Sequence, residues 1–222
     1  MEQVVKRSER RRSLVAVMTK SAEPQTPPPS RRERKRQEIR DRLYTCALDL
    51  FLEQGVDATT MDDIAERADT ARTTVFNHFP QKGLFLQEWG RRRRDRVTEI
   101  MAAEHTEDLP AADQLRRYLS ALAELNTNSR TATITLMDAA IRVGGAISFS
   151  IHDVELTKII EKGQLGGEFR SDSDASQAGT VLAAGYFAGV LRWIGSEPEP
   201  FALSTYLDDL LDLILRGLAD RH

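Results

Sequence analysis

The chain has 222 residues, with 31 Lys plus Arg against 34 Asp plus Glu, a net charge of −3 and a single cysteine. One cysteine excludes an internal disulfide framework, and the placement of Cys46 among apolar residues predicts a small buried hydrophobe rather than a redox sensor. The charge is unevenly spread: residues 1–96 hold 21 basic and 15 acidic side chains, a balance of +6, whereas residues 97–222 hold 10 and 19, a balance of −9. A basic first part attracts a polyanion such as DNA, and the acidic remainder is repelled by it.

In chain order, residues 1–36 read as a flexible basic and Pro-rich arm, marked by Pro24, the Pro27-Pro28-Pro29 run and few aromatics. Its apolar stretch from Leu14 to Met18 is too short for a signal-peptide core, so no export is expected. Met18 is a second candidate start. Arg31, Arg32, Arg34, Lys35 and Arg36 have two readings, a contact to phosphates or a minor groove and a solvated leader.

A helix follows, because Ile39, Leu43, Cys46, Ala47, Leu50 and Phe51 share one stripe and Gly55 suits a left-handed C-terminal residue. Thr60 and Asp63 have capping-box spacing, and Met61, Ile64, Ala65 and Ala68 then form the apolar face of a short helix. After a tight turn Ala71, Val75 and Phe79 point inward, so that Thr73 and Asn77 point outward with Thr70, Thr74 and Phe76 flanking. Pro80 stops this second helix. Two short helices joined in this way form a helix-turn-helix, whose second helix sets its N-terminal residues against base edges in the major groove. Arg72 suits a guanine or a phosphate, Asn77 an adenine and Phe76 a thymine methyl.

Over roughly residues 37–90 the sequence resembles the tetracycline-repressor (TetR) family of bacterial transcription regulators. The resemblance rests on the first helix and its Gly55, the Thr60-capped second helix, the recognition helix and Phe79-Pro80-Gln81-Lys82 in order. It implies an all-α fold, with an N-terminal three-helix helix-turn-helix DNA-binding domain over 37–83 and a helical ligand-binding and dimerisation domain over 84–222. It also implies that Lys82, and the helix N-terminus at Thr59 and Thr60, lie near phosphates. Each has a plainer reading: Thr60 only caps, Lys82 is only solvated, and His78 only closes its helix. The family's frequent turn Gly is Asp69 here, which tolerates a left-handed backbone or caps the next helix, and its frequent recognition-helix Tyr is Phe76.

The remaining residues are helical by period. Arg91 to Arg94 with Arg96 read as a solvated, partly salt-bridged surface, since consecutive residues point around a helix. Two late segments are apolar on wide faces: Val181 to Leu191, and Leu203 to Leu218 after Pro198 and Pro200. Small residues at Ala184, Gly185, Ala188 and Gly189 permit close helix approach, so two such helices per chain suit a four-helix bundle across a twofold axis. The expected interface is Tyr186, Gly189, Trp193, Leu207, Leu211 and Ile214, with ordinary core as the competing reading. An apolar run of eleven residues falls short of the roughly twenty needed to span a bilayer, so no membrane partner is expected.

The resemblance places an effector pocket among the middle helices, and Met101, Leu122, Met137, Ile141, Phe149, His152 and Phe187 are its candidates there, each with plain core as the alternative. No catalytic constellation, phosphate-binding loop or metal-ligand spacing is visible among the four scattered histidines and one cysteine. The expectation is a cytoplasmic homodimer without metal or cofactor. It binds double-stranded DNA at a palindromic operator, with half-sites about 34–36 Å apart or a multiple of that, and a small hydrophobic ligand releases it. The alternative is a helical interaction or architectural protein that binds nucleic acid nonspecifically.

Overall fold

Nine α-helices and one 3-10 turn make up the described residues, 30–142 and 150–218, of the computed structural model, with no strand among them. They are α1 (Arg31–Gln54), α2 (Met61–Arg67), α3 (Arg72–His78), α4 (Gly83–Ala103), α5 (Ala111–Asn128), α6 (Arg130–Arg142), α7 (Ser150–Leu165), α8 (Ala175–Ile194) and α9 (Leu203–Leu218). The Pro-rich run, Met18 and Phe149 lie outside the described residues. By contacts the chain divides into two units, Met1–Ile39 and Arg40–His222.

In the first unit, residues 31–36 are helical, which corrects the expectation of an arm reaching to residue 36. Ser30 and Glu33 make the reason plain. The Ser30 amide donates to Glu33 Oε2 at 2.7 Å, and the Glu33 amide donates to Ser30 Oγ at 3.2 Å. This reciprocal cap satisfies amides that a helix end otherwise leaves without partners.

The second unit starts with a small apolar core. Leu43, Ala47, Phe51, Ile64, Val75, Phe79 and Phe85 are buried in it. Phe79 stacks on Phe85 at 3.9 Å between centroids, and Phe51 meets Phe85 edge-on at 6.1 Å. Burying each such ring contributes about 1.5–3 kcal/mol. Gly55 ends α1 with φ +89, and Asp69 takes φ +47 in the turn between α2 and α3. Asp69 therefore fills the left-handed position and leaves the cap of α3 to Ala71.

The later helices pack at close range where glycine allows it. A Cβ on Gly189 would stand 2.2 Å from the Tyr206 ring, one on Gly185 would stand 2.6 Å from Leu210, and both contacts join α8 to α9. Helix ends are again satisfied by carboxylates. Glu168 accepts from the Ala111 and Ala112 amides at 2.6 and 2.8 Å, and Asp174 accepts from the Gln177 amide at 3.0 Å.

Candidate functional site

Thr60 caps α2: its Oγ1 accepts from the Asp63 amide at 3.1 Å, and its own amide donates to Asp63 Oδ2 at 2.8 Å. These bonds hold the Asp63 carboxyl below its ordinary range. The short helix is thus fixed at its start, and Ile64 and Ala65 fix its inner face. In α3, Val75 and the following Phe79 are fully buried, and Arg72, Thr73, Phe76 and Asn77 are exposed on the opposite side. Thr70, Thr74 and His78 are half-buried beside them. Ala71 is exposed and serves as the cap residue of α3, not as the inward-facing position its spacing suggested.

Arg72 does not hang freely in solvent. Its Nη1 lies 3.0 Å from Asp62 Oδ2, and its guanidinium sits 5.3 Å from the Phe76 ring centre. Both contacts are exposed, so each is weak and open to exchange for a stronger anion. Behind α3, Arg40 Nη1 donates to the His78 carbonyl at 3.0 Å and its guanidinium covers the Phe79 ring at 4.2 Å. The recognition helix is therefore anchored at its C-terminal end by α1.

Two expected phosphate contacts are corrected. Lys82 is neither merely solvated nor turned outward: its Nζ donates to the carbonyls of Val56, Asp57 and Thr59 at 2.7, 3.2 and 2.9 Å. An ammonium with three donors so engaged has no donor left for DNA. Thr59 is fully buried, with Oγ1 donating to the Gly55 carbonyl at 2.8 Å, so its hydroxyl closes the loop after α1. The pairing of Lys82 with a loop 23–26 residues earlier carried no sequence signal.

The arginine run of α4 is also not uniform. Arg91 and Arg92 share the Glu88 carboxylate at 2.7 and 2.9 Å, Arg91 further pairs with Asp95 and Arg92 with Asp41. The Arg91 bond above all, with Arg92 and Arg40 and against the cost of burial, lowers Glu88 to about 2. Arg93 and Arg94 are half-buried, with Nη2 of Arg93 and Nε of Arg94 shut away from solvent, which corrects the expectation of a solvated surface for those two.

Of the candidate effector residues, Leu122, Met137, His152 and Phe187 are buried in the later helices and Met101 is half-buried. Ile141 is corrected: it lies exposed at the C-terminal end of α6. His152 shares a hydrogen bond of 2.9 Å with the Tyr118 hydroxyl and meets Tyr186 and Phe187 at ring distances of 5.2 and 5.9 Å. Burial, with the charges of Arg94 and Arg93, pushes this imidazole down from 6.5 to about 3, so it is neutral at neutral pH. Asn126 donates to the Tyr186 hydroxyl at 3.0 Å and adds a second buried polar pair. No group of three His, Cys, Asp or Glu suited to a metal forms among the described residues.

Four of the expected interface residues are also corrected. Tyr186, Trp193, Leu207 and Leu211 are buried within their own chain, where Trp193 Nε1 donates to Glu199 Oε2 at 2.9 Å. Gly189 is taken up by Tyr206 of the same chain, and Ile214 is half-buried. The exposed apolar positions are others. Val181, Ala184, Ala188 and Leu191 run along α8 at spacings of three, four and three, and Leu213 of α9 is 67% exposed. Among the described residues no helix is long and apolar enough to cross a membrane.

Residues 43–88 match the family described as bacterial regulatory proteins, tetR family. The repressor KstR2 of Rhodococcus jostii is 26% identical over 208 residues, covering 89% of this chain and 99% of the relative. The regulator TcmR of Streptomyces glaucescens is 44% identical over 54 residues, 24% of each chain. FadR of Thermus thermophilus, a TetR-family repressor solved with lauroyl-CoA, superposes with a TM-score of 0.63 at 25% identity, covering 82% of this chain and 96% of that one. Residues 43–88 thus carry the domain of the tetR family of bacterial regulatory proteins, and most of the chain is similar to repressors of that family. A chain built on that domain is a DNA-binding regulator of transcription, which sets aside the reading as a nonspecific architectural module.

Proposed function

We propose that the working form is a homodimer, in which two copies of α3 read the halves of an inverted repeat and a small molecule with an apolar body releases the DNA. Residues 37–83 are then the reading domain and 84–222 the effector and dimerisation domain, acting in the cytoplasm as a regulator rather than an enzyme. The observation that carries this reading is the outward face of α3. Arg72, Thr73, Phe76 and Asn77 are exposed together over a fully buried Val75. An exposed face of one Arg, one Asn, a hydroxyl and a ring matches the contacts that base edges take in the major groove.

The exposed stripe of Val181, Ala184, Ala188 and Leu191 supports the dimer, with Leu213 beside it in the bundle two chains would form. Glu88 supports the coupling, because Arg40 of α1 and Arg91 and Arg92 of α4 converge on it. A shift of α4 on ligand binding then moves α1, and with it the anchor of α3. Selection of bound sequences from a random duplex library, with purified protein at near-physiological salt, tests the reading. One enriched inverted repeat is expected, and binding without any enriched repeat overturns it.

A further inference from the structure

Arg93 and Arg94 differ from their neighbours in one respect: among the described residues neither takes part in an ion pair. Arg91, Arg92 and Arg96 each meet a carboxylate. Arg93 instead gives Nη1 to the Ser129 hydroxyl at 3.0 Å and lays its guanidinium 4.9 Å from the Trp89 ring centre. Its Nη2 is buried without a partner, and so is Nε of Arg94. Arg130 also has a buried Nε without a partner, but its other nitrogens are engaged by Glu197, Trp193 and Ser196.

An unpaired guanidinium N–H held away from water costs more than a neutral donor would, because the group cannot shed its charge. A chain gains nothing in stability by keeping two such arginines side by side on one helix. Their surroundings are polar, and the carboxylate that bears on the cluster, Glu155 acting on Tyr118, is itself paired with Lys158. His152 is neutral, and Tyr118, Tyr186 and Asn126 are neutral donors or acceptors already paired with one another or with His152. Both arginine charges act on His152, Arg94 on Tyr118 and Arg93 on Tyr186, so the two cations bear on one buried cluster. Leu122, Met137 and Phe187 are also buried within these helices. What both arginines lack, among the described residues, is an anionic partner.

We infer that the effector is an organic anion whose acidic head is taken by Arg93 and Arg94 of α4, while its apolar body lies among the side chains of α5 to α8. This rests on the ligand-released repressor proposed above. Occupation would replace two orphaned N–H groups by charge-assisted bonds, which are the strong ones for a guanidinium and an oxyanion. It would also act directly on α4, the helix that carries Glu88 toward α1.

The test uses the full chain and matched probes: dodecanoate against dodecanol, 1-naphthoate against 1-naphthol, and dodecyl phosphate as a second acidic head. Binding is read by titration of tryptophan fluorescence, since Trp89 lies under Arg93, and by the shift in Tm. In at least one pair the acid is expected to bind about tenfold or more tightly than its neutral counterpart. Dodecanoate against dodecyl phosphate distinguishes a carboxylate from a phosphoryl head. The double variant R93M/R94M should lose the preference, and R93K should keep part of it. Arg93→Met should also raise the Tm of the ligand-free protein, because an unpaired buried charge is removed. No preference in either pair, or a preference that survives R93M/R94M, overturns the proposal. Release from the selected operator is measured separately. Acid-selective binding that leaves the DNA bound upholds the anion site and sinks the ligand-released repressor. Release by neutral and acidic probes alike does the reverse.

Discussion

Arg40 of α1 donates from Nη2 to the Glu88 carboxylate of α4 at 3.1 Å, across 48 residues of sequence. The carboxylate is buried, and Arg91 and Arg92 close on it from its own helix. Glu88→Ala should therefore cost about 3 kcal/mol, as for other buried pairs broken on one side. Its carboxyl lies at about 2 in the folded chain against an ordinary 4.5. The stability it contributes is present above about pH 4.5 and is lost as pH falls toward 2. Chemical denaturation of Glu88→Gln and wild type across that window should give converging stabilities at its acid end.

Lys82→Met separates a structural lysine from a phosphate contact. Removal of three charge-assisted bonds to the loop after α1 should destabilise the chain by about 2 kcal/mol and lower Tm by about 4–8 °C. The slope of log affinity against log salt should stay at the wild-type value. A fall of about 0.9 for each lysine would mean that Lys82 neutralises a phosphate after all.

Arg72 and Asn77 are exposed on α3, so their replacement should be felt on DNA and not in the fold. Arg72→Ala with Asn77→Ala should bring operator binding toward the nonspecific level while leaving Tm and oligomeric state unchanged. Equal weakening on every sequence would argue against base reading. Asp62→Asn removes the intramolecular competitor for Arg72. It should tighten operator binding up to about fivefold, the equivalent of one exposed ion pair.

The two faces of α9 give a paired test of the dimer. Leu213→Glu places a charge on the exposed side and should yield a folded monomer with weakened operator binding, visible by sedimentation. Leu211→Glu places it in the chain's own core and should abolish the folded state itself. A full-strength dimer of Leu213→Glu would remove this face from the interface.

His152 supplies an acid limb of its own. Its imidazole is held at about 3 against 6.5 in an unfolded chain. Below about pH 6.5 the unfolded state takes up a proton that the folded state refuses, so stability declines as pH falls from 6.5 toward 3. His152→Phe should flatten that decline in a series of melts, at the cost of about 1–3 kcal/mol at neutral pH for the Tyr118 hydroxyl left without its partner.

Much of the reading domain was legible in the residues. The 60–63 capping box, the left-handed position at Gly55, and the inward Val75 and Phe79 all follow from local rules, because caps, turns and helical period act within a few residues, whereas Asp69 was left between a left-handed turn and a cap. The Ser30–Glu33 box was equally visible and would have started α1 six residues earlier than the expected boundary at residue 37. The late helices were read correctly as apolar on wide faces but assigned the wrong side. Tyr186, Trp193, Leu207 and Leu211 are core, and the smaller Val181, Ala184 and Ala188 are outside. When a helix is apolar all round, period alone cannot say which face meets its own chain.

Spacing within one or two turns was enough to read helices, a helix-turn-helix near the start, and a second motif helix with Thr73 and Asn77 outward and Phe76 flanking. Packing between distant segments set the rest: Lys82 clips a loop, Glu88 gathers arginines from two helices, and Arg93 and Arg94 each keep a buried nitrogen without a partner. A long cationic side chain reaches several ångströms in any direction from its helix, so its partner is chosen by what other segments bring near it, and that choice is not written in its own neighbourhood.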